Sequence, residues 1–545
     1  MTAPAAKLNG LGQTARAVSC LMLGYWGLYA LVAPVTTADS QMYHLARLEL
    51  ALRGGLFNNA WFTSVYQLVW PWGFDAVHLP FLELRWGYAL PSFACLVGTS
   101  SVVHAMLRDK FGGEAAWAAI AALLGLTGLV YQAASTTNDI PLLFCAAVWA
   151  YGRWRWRREN RPLHLFWMAV AVGFMAGAKT SGVLYAGILS AVTVWELRRQ
   201  SRLAGRVAAG LLVSILLLGS VETYVETARV YGHPSGPPLL VQQHRNRDGW
   251  KGGVANLSRY VAGSIYVGPV TPGDDQAVTA VLRAEHAWLH STGLWERGLR
   301  ADTRDESLLY VQSGFEELSG YGPLGMLAMA FMLVSVVWWR PHSLAWQLTV
   351  TAFAGFALLS FTVGFSYWSN RYLCGWYALG TVACVCALWE YRGHGAAGLR
   401  IAFVGCALAS AVAAPLLSVN RRPTDLVAAV MDRDRFETRN YPVLGLARNE
   451  LRALRRAHPQ SRVYFVVADA SLVLPILEDP QLEATVVTRP RFLALLAAQE
   501  VKPGDFVIED NASGAARLIP IRQVFAPDVF VKGDIRSMVI YQVGR

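Results

Sequence analysis

Asp39, Tyr43 and Arg47 stand at intervals of four in the segment TTADSQMYHLAR, which runs from Thr36 to Arg47. On a helix that spacing places all three on one face, with a carboxylate beside a guanidinium suited to holding a phosphate. The same residues equally suit an Asp that caps an interfacial helix and makes a local ion pair. Asp139, after Thr136, Thr137 and Asn138, is by default an N-cap. Lys179 lies in GFMAGAKTSG (Gly173 to Gly182), between two apolar runs. There an ammonium must snorkel, pair or serve a function. Arg371, in WSNRYL, fits either an interfacial anchor or a bidentate phosphate ligand.

The elements that must position these residues are membrane spans. The chain has 545 residues, 54% hydrophobic and only 16% charged, with 20 Trp. Apolar runs of about 17 to 25 residues, the length that crosses a bilayer, recur to residue 418. They lie near 17–35, 86–107, 115–134, 139–152, 163–178, 181–195, 207–225, 322–339, 343–363, 371–389 and 400–418. The first has no A-x-A cleavage site and reads as an uncleaved span after a cytoplasmic tail, 1–16.

The net charge of +11 comes from short basic clusters between apolar runs, such as Arg153 to Arg161 and Arg198 to Arg206. This distribution points to membrane topology and excludes a nucleic-acid-binding domain. By the positive-inside rule those loops are cytoplasmic. The first outer loop (36–85), the long loop (226–321) and the region after 420 then share the opposite face, as do Asp39, Asp139, Lys179 and Arg371. The Gly177 to Gly182 stretch reads as a break between short helices, allowed at membrane depth only where backbone lines a cavity or is buried in protein.

The predicted fold is a polytopic α-helical membrane protein of about 11 transmembrane helices, spanning 17–419, with a small extracytoplasmic α/β domain at 420–545. Strand-like runs in that domain lie at Val463 to Val467, Ala484 to Val487, Asp505 to Ile508 and Met538 to Val543, with a helix near Arg491 to Gln499. The long loop carries an amphipathic helix near 275–300 with Trp288, Leu289 and Trp295 on its apolar side. Two motifs are decoys. Gly173 to Thr180 has Ala178 where a phosphate loop needs its second Gly, and His286 with His290 in EHAWLH does not form H-E-x-x-H. All seven Cys fall in or beside apolar segments and read as core residues.

A first span followed by an extracytoplasmic Asp-Ser-x-x-Tyr-His-Leu segment resembles the GT-C superfamily, multi-spanning glycosyltransferases that use polyprenyl-phosphate sugars. The protein O-mannosyltransferases and aminoarabinose transferases are among them. The resemblance implies that Asp39 is the catalytic base or a metal ligand, with Tyr43 and His44 beside the substrate. Thr136 to Asp139 resembles the superfamily's second acidic site, and Gly173 to Gly182 its glycine-rich Lys segment, which carries Lys179. Arg371-Tyr372 resembles the Arg-Tyr that opens a later span. Glu316 and Glu317, with Gly322-Pro323, resemble an acidic Gly-Pro stretch in the substrate region.

The resemblance implies a transferase in a cell membrane, such as a bacterial inner membrane, with its site facing the periplasm or exterior. The donor phosphate would be held by Lys179 and Arg371 with help from Arg47. Asp39 would take the acceptor's proton in a single inverting displacement, and Asp139 would orient it. A divalent cation, Mg²⁺ or Mn²⁺, held by Asp39 and Asp139 and a metal-free base are both compatible with the residues. The acceptor is a glycan, lipid or protein. The alternative is a membrane transporter or flippase of lipid-linked or small polar substrates, with the same charges as gates.

Overall fold

The computed structural model describes residues 10–34, 39–54, 62–263, 276–300, 320–338, 343–418, 421–432, 452–467 and 484–510, with a few isolated positions and the last strands beyond them. The chain forms two compact units. One comprises residues 1–31, 71–74 and 89–423; the other comprises 32–70, 75–88 and 424–545.

The first unit is helical, and the apolar runs read from the sequence fall on helices, the run 115–134 on a bent pair and 207–225 across two. Among the described residues, seven helices are long and apolar enough to cross a membrane, or eight when one bent pair is counted as a single span. That pair, Gly113–Leu124 and Thr127–Ala133, bends by 78°. The Thr127 hydroxyl satisfies the Gly320 carbonyl just after the bend (2.8 Å). The protein is therefore a multi-pass membrane protein.

Three of its helices begin at or beside candidate site residues and carry basic or paired charges at the other end. Asp139–Glu159 has 21 residues, about 30 Å at the α-helical rise, enough to span the hydrocarbon. At its far end Arg157 meets Glu196 (2.7 Å), and Arg153 is bonded to the same carboxylate. Glu196 closes the helix Thr180–Leu197, and Glu390, at the end of Cys374–Glu390, meets Lys110 at 2.9 Å.

The glycine-rich stretch is a packing device. The helix Pro162–Ala178 lies against Ser201–Leu218, and a Cβ at Gly173 or Gly177 would run into the Ser214 or Leu218 carbonyl. Small residues let such backbones approach closely. The Gly177 carbonyl then accepts from Gly73 N (3.1 Å) and Ser220 Oγ (3.3 Å). This contact fixes the helix whose next residue is Lys179.

The long loop is stitched to the helix Leu344–Thr362 that precedes the Arg371 segment. Asn246 N donates to Thr362 O and Phe365 N to Gly298 O (3.0 and 2.7 Å), while Asn246 Nδ2 reaches Phe361 O (3.0 Å). Arg259, fully buried, donates to the Arg297 carbonyl at 2.7 Å and to the Trp295 carbonyl. The amphipathic helix is Gln276–Ser291, with Leu289 buried and Trp288 exposed. His286 and His290 share a hydrogen bond (2.9 Å) and lie against the Trp295 ring.

The second unit contains strands β1 (Val463–Val467), β2 (Thr485–Thr488), β3 (Phe506–Asp510), β4 (Ile521–Phe525), β5 (Phe530–Val531), β6 (Asp534–Ile535) and β7 (Met538–Val543). Five make a mixed sheet in the order β2-β1-β3-β7-β4; β1 is parallel to β2 and β3, and β7 is antiparallel to β3 and β4. Phe492 of the helix Arg489–Ala497 packs on Tyr464, Val466, Val487 and Val507. The run beginning at Ile521 carries no alternating apolar pattern, so sequence periodicity did not mark β4.

Candidate active site

Lys179 occupies the one-residue break between Pro162–Ala178 and Thr180–Leu197, in extended backbone (φ −159°, ψ 150°). Its ammonium donates to Asp139 Oδ1 at 2.7 Å, with side-chain exposures of 12% and 1%. An ion pair this buried survives because each charge answers the other; removing either leaves an uncompensated charge. Asp139 Oδ2 is buried and accepts no hydrogen bond from the described residues. Asn138 fixes the register by donating from Nδ2 to the Ala178 carbonyl at 2.8 Å, which ties the start of one helix to the end of another.

Tyr372 completes the cluster. Lys179 Nζ lies 4.6 Å from the centre of its ring, and the Arg371 guanidinium carbon lies 5.6 Å from it. Both residues belong to the 3-10 turn Tyr367–Leu373, which leads directly into Cys374–Glu390 and is tightened by Ser366 and Ser369 (hydroxyl to hydroxyl, 3.0 Å). Arg371 is buried, at 5% exposure. The turn is anchored from behind, where the Tyr185 hydroxyl donates to the Tyr372 carbonyl and the Tyr185 ring packs on Trp376.

The structure thus brings together Asp139, Lys179, Arg371 and Tyr372 from three segments. Among the described residues, two cations and one carboxylate gather around the Tyr372 ring. Three helices also begin here, at Asp139, Thr180 and Cys374. Helix N-termini add partial positive charge and favour an anion. An ammonium has three N–H donors, so Lys179 retains capacity for phosphate oxygens beyond its bond to Asp139.

Asp39, Tyr43, His44 and Arg47 lie in the second unit. Asp39 is helical and precedes a π-helical turn, Ser40–His44, which runs on into Leu45–Gly54. The wide i→i+5 turn breaks the 3.6-residue register, so the uniform i, i+4, i+8 face expected from the sequence does not form. Arg47 is a brace instead of the available phosphate ligand. It is paired with the Asp75 carboxylate and donates to the Trp70 and Gln67 carbonyls at 2.6 and 3.2 Å. His44 Nδ1 bonds the other Asp75 oxygen at 2.9 Å. Tyr43 packs edge-on against Trp70, with ring centres 4.5 Å apart. Glu316 and Glu317 lie outside the described residues.

Sequence reasoning missed Asp75, Tyr185 and Arg421. Asp75 is fully buried in a short 3-10 turn; its only sequence signal is an acid amid Trp70, Trp72 and Phe74. Arg421, also fully buried, donates to the Ala134 carbonyl (3.3 Å) just before the Thr136–Asp139 segment, with its guanidinium 5.8 Å from the centre of the Tyr29 ring. Its signal was an Arg directly after the last span.

The residues do not fit a dedicated divalent-cation site. Asp139 already faces an ammonium, and no group of three or more His, Cys, Asp or Glu side chains assembles among the described residues.

Residues 68–224 match the sequence model of the dolichyl-phosphate-mannose-protein mannosyltransferase family. No curated protein matches the chain. Among solved structures it is similar to ArnT from Cupriavidus metallidurans in the apo state, at 15% identity, with 97% of each chain covered and a TM-score of 0.54. It is likewise similar to ArnT from the same organism bound to undecaprenyl phosphate, at 14% identity, 98% of each chain and a TM-score of 0.52. At these identities the likeness is one of fold. The chain thus has an ArnT-like fold along nearly its whole length, and residues 68–224 within it match the mannosyltransferase family.

Proposed function

We propose that this protein transfers a sugar from a polyprenyl-phosphate-linked donor to an acceptor on the extracytoplasmic face, with inversion at the anomeric carbon. The observation that carries the reading is the buried Lys179–Asp139 pair, set with Arg371 around Tyr372 where three helices begin. A lipid phosphate is the anion suited to an ammonium and a guanidinium set at helix N-termini in a membrane-embedded fold. The structural neighbour solved with undecaprenyl phosphate supports that donor class.

In this reading Lys179 and Arg371 hold the donor phosphate. The acceptor hydroxyl oxygen attacks C1 from the opposite face while the C1–O bond to phosphate breaks. The departing phosphate gains charge that the two cations and the helix N-termini stabilise. The hydroxyl proton passes to the Asp39 carboxylate, a role that rests on the resemblance of its segment. Asp139 is a positioning residue that fixes the Lys179 ammonium. Tyr43, His44 and Arg47 brace the turn that carries Asp39. Glu316, Glu317 and Tyr372 contribute to the sugar and acceptor region.

The eleven apolar segments are then crossings of a bacterial inner membrane, and the region after 420 is an extracytoplasmic α/β domain. The test is transfer from a synthetic polyprenyl-phosphate sugar, followed as release of polyprenyl phosphate. Asp39→Asn and Lys179→Ala, each confirmed to insert normally, should lower the rate at least about a hundredfold. Full transfer by either variant overturns the reading.

A further inference from the structure

A second charged concavity lies at the far ends of the helices, remote from Lys179 along their length. It has a volume of about 690 Å³, and its wall includes Lys110, Phe111, Trp389, Arg392, Ala396 and Arg400. Three cations line it, and among the described residues no carboxylate does. Glu390, next to the lining, pairs with Lys110 at 2.9 Å.

Two helix ends meet here, and they are treated differently. The carbonyl end of Cys374–Glu390 is closed by Arg400, which donates to Leu388 O (2.9 Å) and Tyr391 O (3.1 Å). The amino end of the 22-residue helix Ala396–Leu417 follows Gly395 (φ 84°), and no side chain caps it. The negative helix end is thus covered by a cation, while the positive end opens beside Lys110, Arg392 and Arg400. Both the helix dipole and the side chains select an anion.

The flanking aromatics set the level of the site. Lys110 lies 4.9 Å from the centre of the Phe111 ring, and Arg400 5.2 Å from that of Trp389. Trp beside cations at the ends of spans marks the headgroup region of a bilayer. On the positive-inside reading this is the cytoplasmic leaflet, which carries anionic lipid.

We infer that this concavity binds a phosphate group, at a site separate from the Lys179 cluster, and that the cytoplasmic-leaflet lipid headgroup is its source. The phosphate oxygens take N–H donors from Arg392, Lys110 and the open helix end, and the glyceryl portion rests against Trp389 and Phe111.

The experiment measures binding of short-chain phosphatidylglycerol and, separately, inorganic phosphate to the full-length protein in neutral detergent. Arg392→Gln/Lys110→Gln is compared with Arg202→Gln, an exposed cation of another basic loop. The expected result is phosphatidylglycerol binding that weakens at least about fivefold in the double variant and is unchanged in Arg202→Gln. Tight binding of inorganic phosphate with the same variant pattern keeps the phosphate site and assigns a free anion as its source. Binding of neither ligand, an unaffected double variant, or equal loss in Arg202→Gln overturns the inference. Arg392 and Lys110 are exposed, so the variants should fold. A melting temperature within about 2 °C of wild type in ligand-free detergent checks this.

Discussion

At the scale of single residues, the account turns on separating what Lys179 and Asp139 do for folding from what they do for chemistry. Lys179→Ala alone strands a buried carboxylate and should destabilise the protein by about 3–5 kcal/mol. Asp139→Leu/Lys179→Met removes both charges and should restore most of the thermal midpoint while leaving transfer lost. A double variant that recovers activity along with stability would make the pair structural. Asp75 tests the other brace: Asp75→Ala leaves Arg47 without its carboxylate and should lower stability by a similar 3–5 kcal/mol in a melting experiment. The sequence made Lys179, Asp139 and Arg371 legible because a charge inside an apolar run needs an explanation. Asp75 was not legible, since its partners His44 and Arg47 lie 31 and 28 residues away with no periodicity to link them. The π-helical turn was equally hidden, because nothing in SQMYH breaks an ordinary helical pattern.

Elements position these residues through close packing and a stitched loop. Gly177→Val would push a side chain into the Leu218 carbonyl. Because Lys179 is two residues away, the variant should lose both thermal stability and transfer; an unchanged melting curve would contradict the packing role. Helix existence was readable from apolar run length, whereas the bend between Leu124 and Thr127 was not, since its partner, the Gly320 carbonyl, is remote in sequence. The long loop offers a pH test. Burial pushes the Asp248 carboxyl up, but the Gly298 N–H (2.7 Å) and the Arg297 guanidinium (3.0 Å) more than offset this and hold it below the usual carboxylate range. A depressed folded-state value stabilises above the unfolded value, about 3.9 for Asp. That contribution fades as pH falls through the lower folded value. Asp248→Asn should therefore flatten the acid limb of stability below about pH 4. An acid limb that matches wild type would remove Asp248 from the loop's anchoring.

For the whole molecule, sidedness is the organising property. Asp139, Lys179 and Arg371 stand at one end of three helices, and Arg157, Glu196 and Glu390 at the other. In a cysteine-free background, His233→Cys in the long loop should react with an impermeant maleimide added outside. Arg202→Cys should react only after the membrane is opened, and the reverse pattern would invert the topology. Basic clusters between apolar runs marked one set of helix ends in the sequence. The sheet order β2-β1-β3-β7-β4 was not readable, because non-consecutive pairing leaves no local signal. Polyprenyl phosphate binding to wild type and to the folded Asp139→Leu/Lys179→Met variant decides whether the Lys179 cluster holds a lipid phosphate. Wild type should bind saturably and the variant at least about tenfold more weakly. Equal affinity in the two proteins would contradict that role.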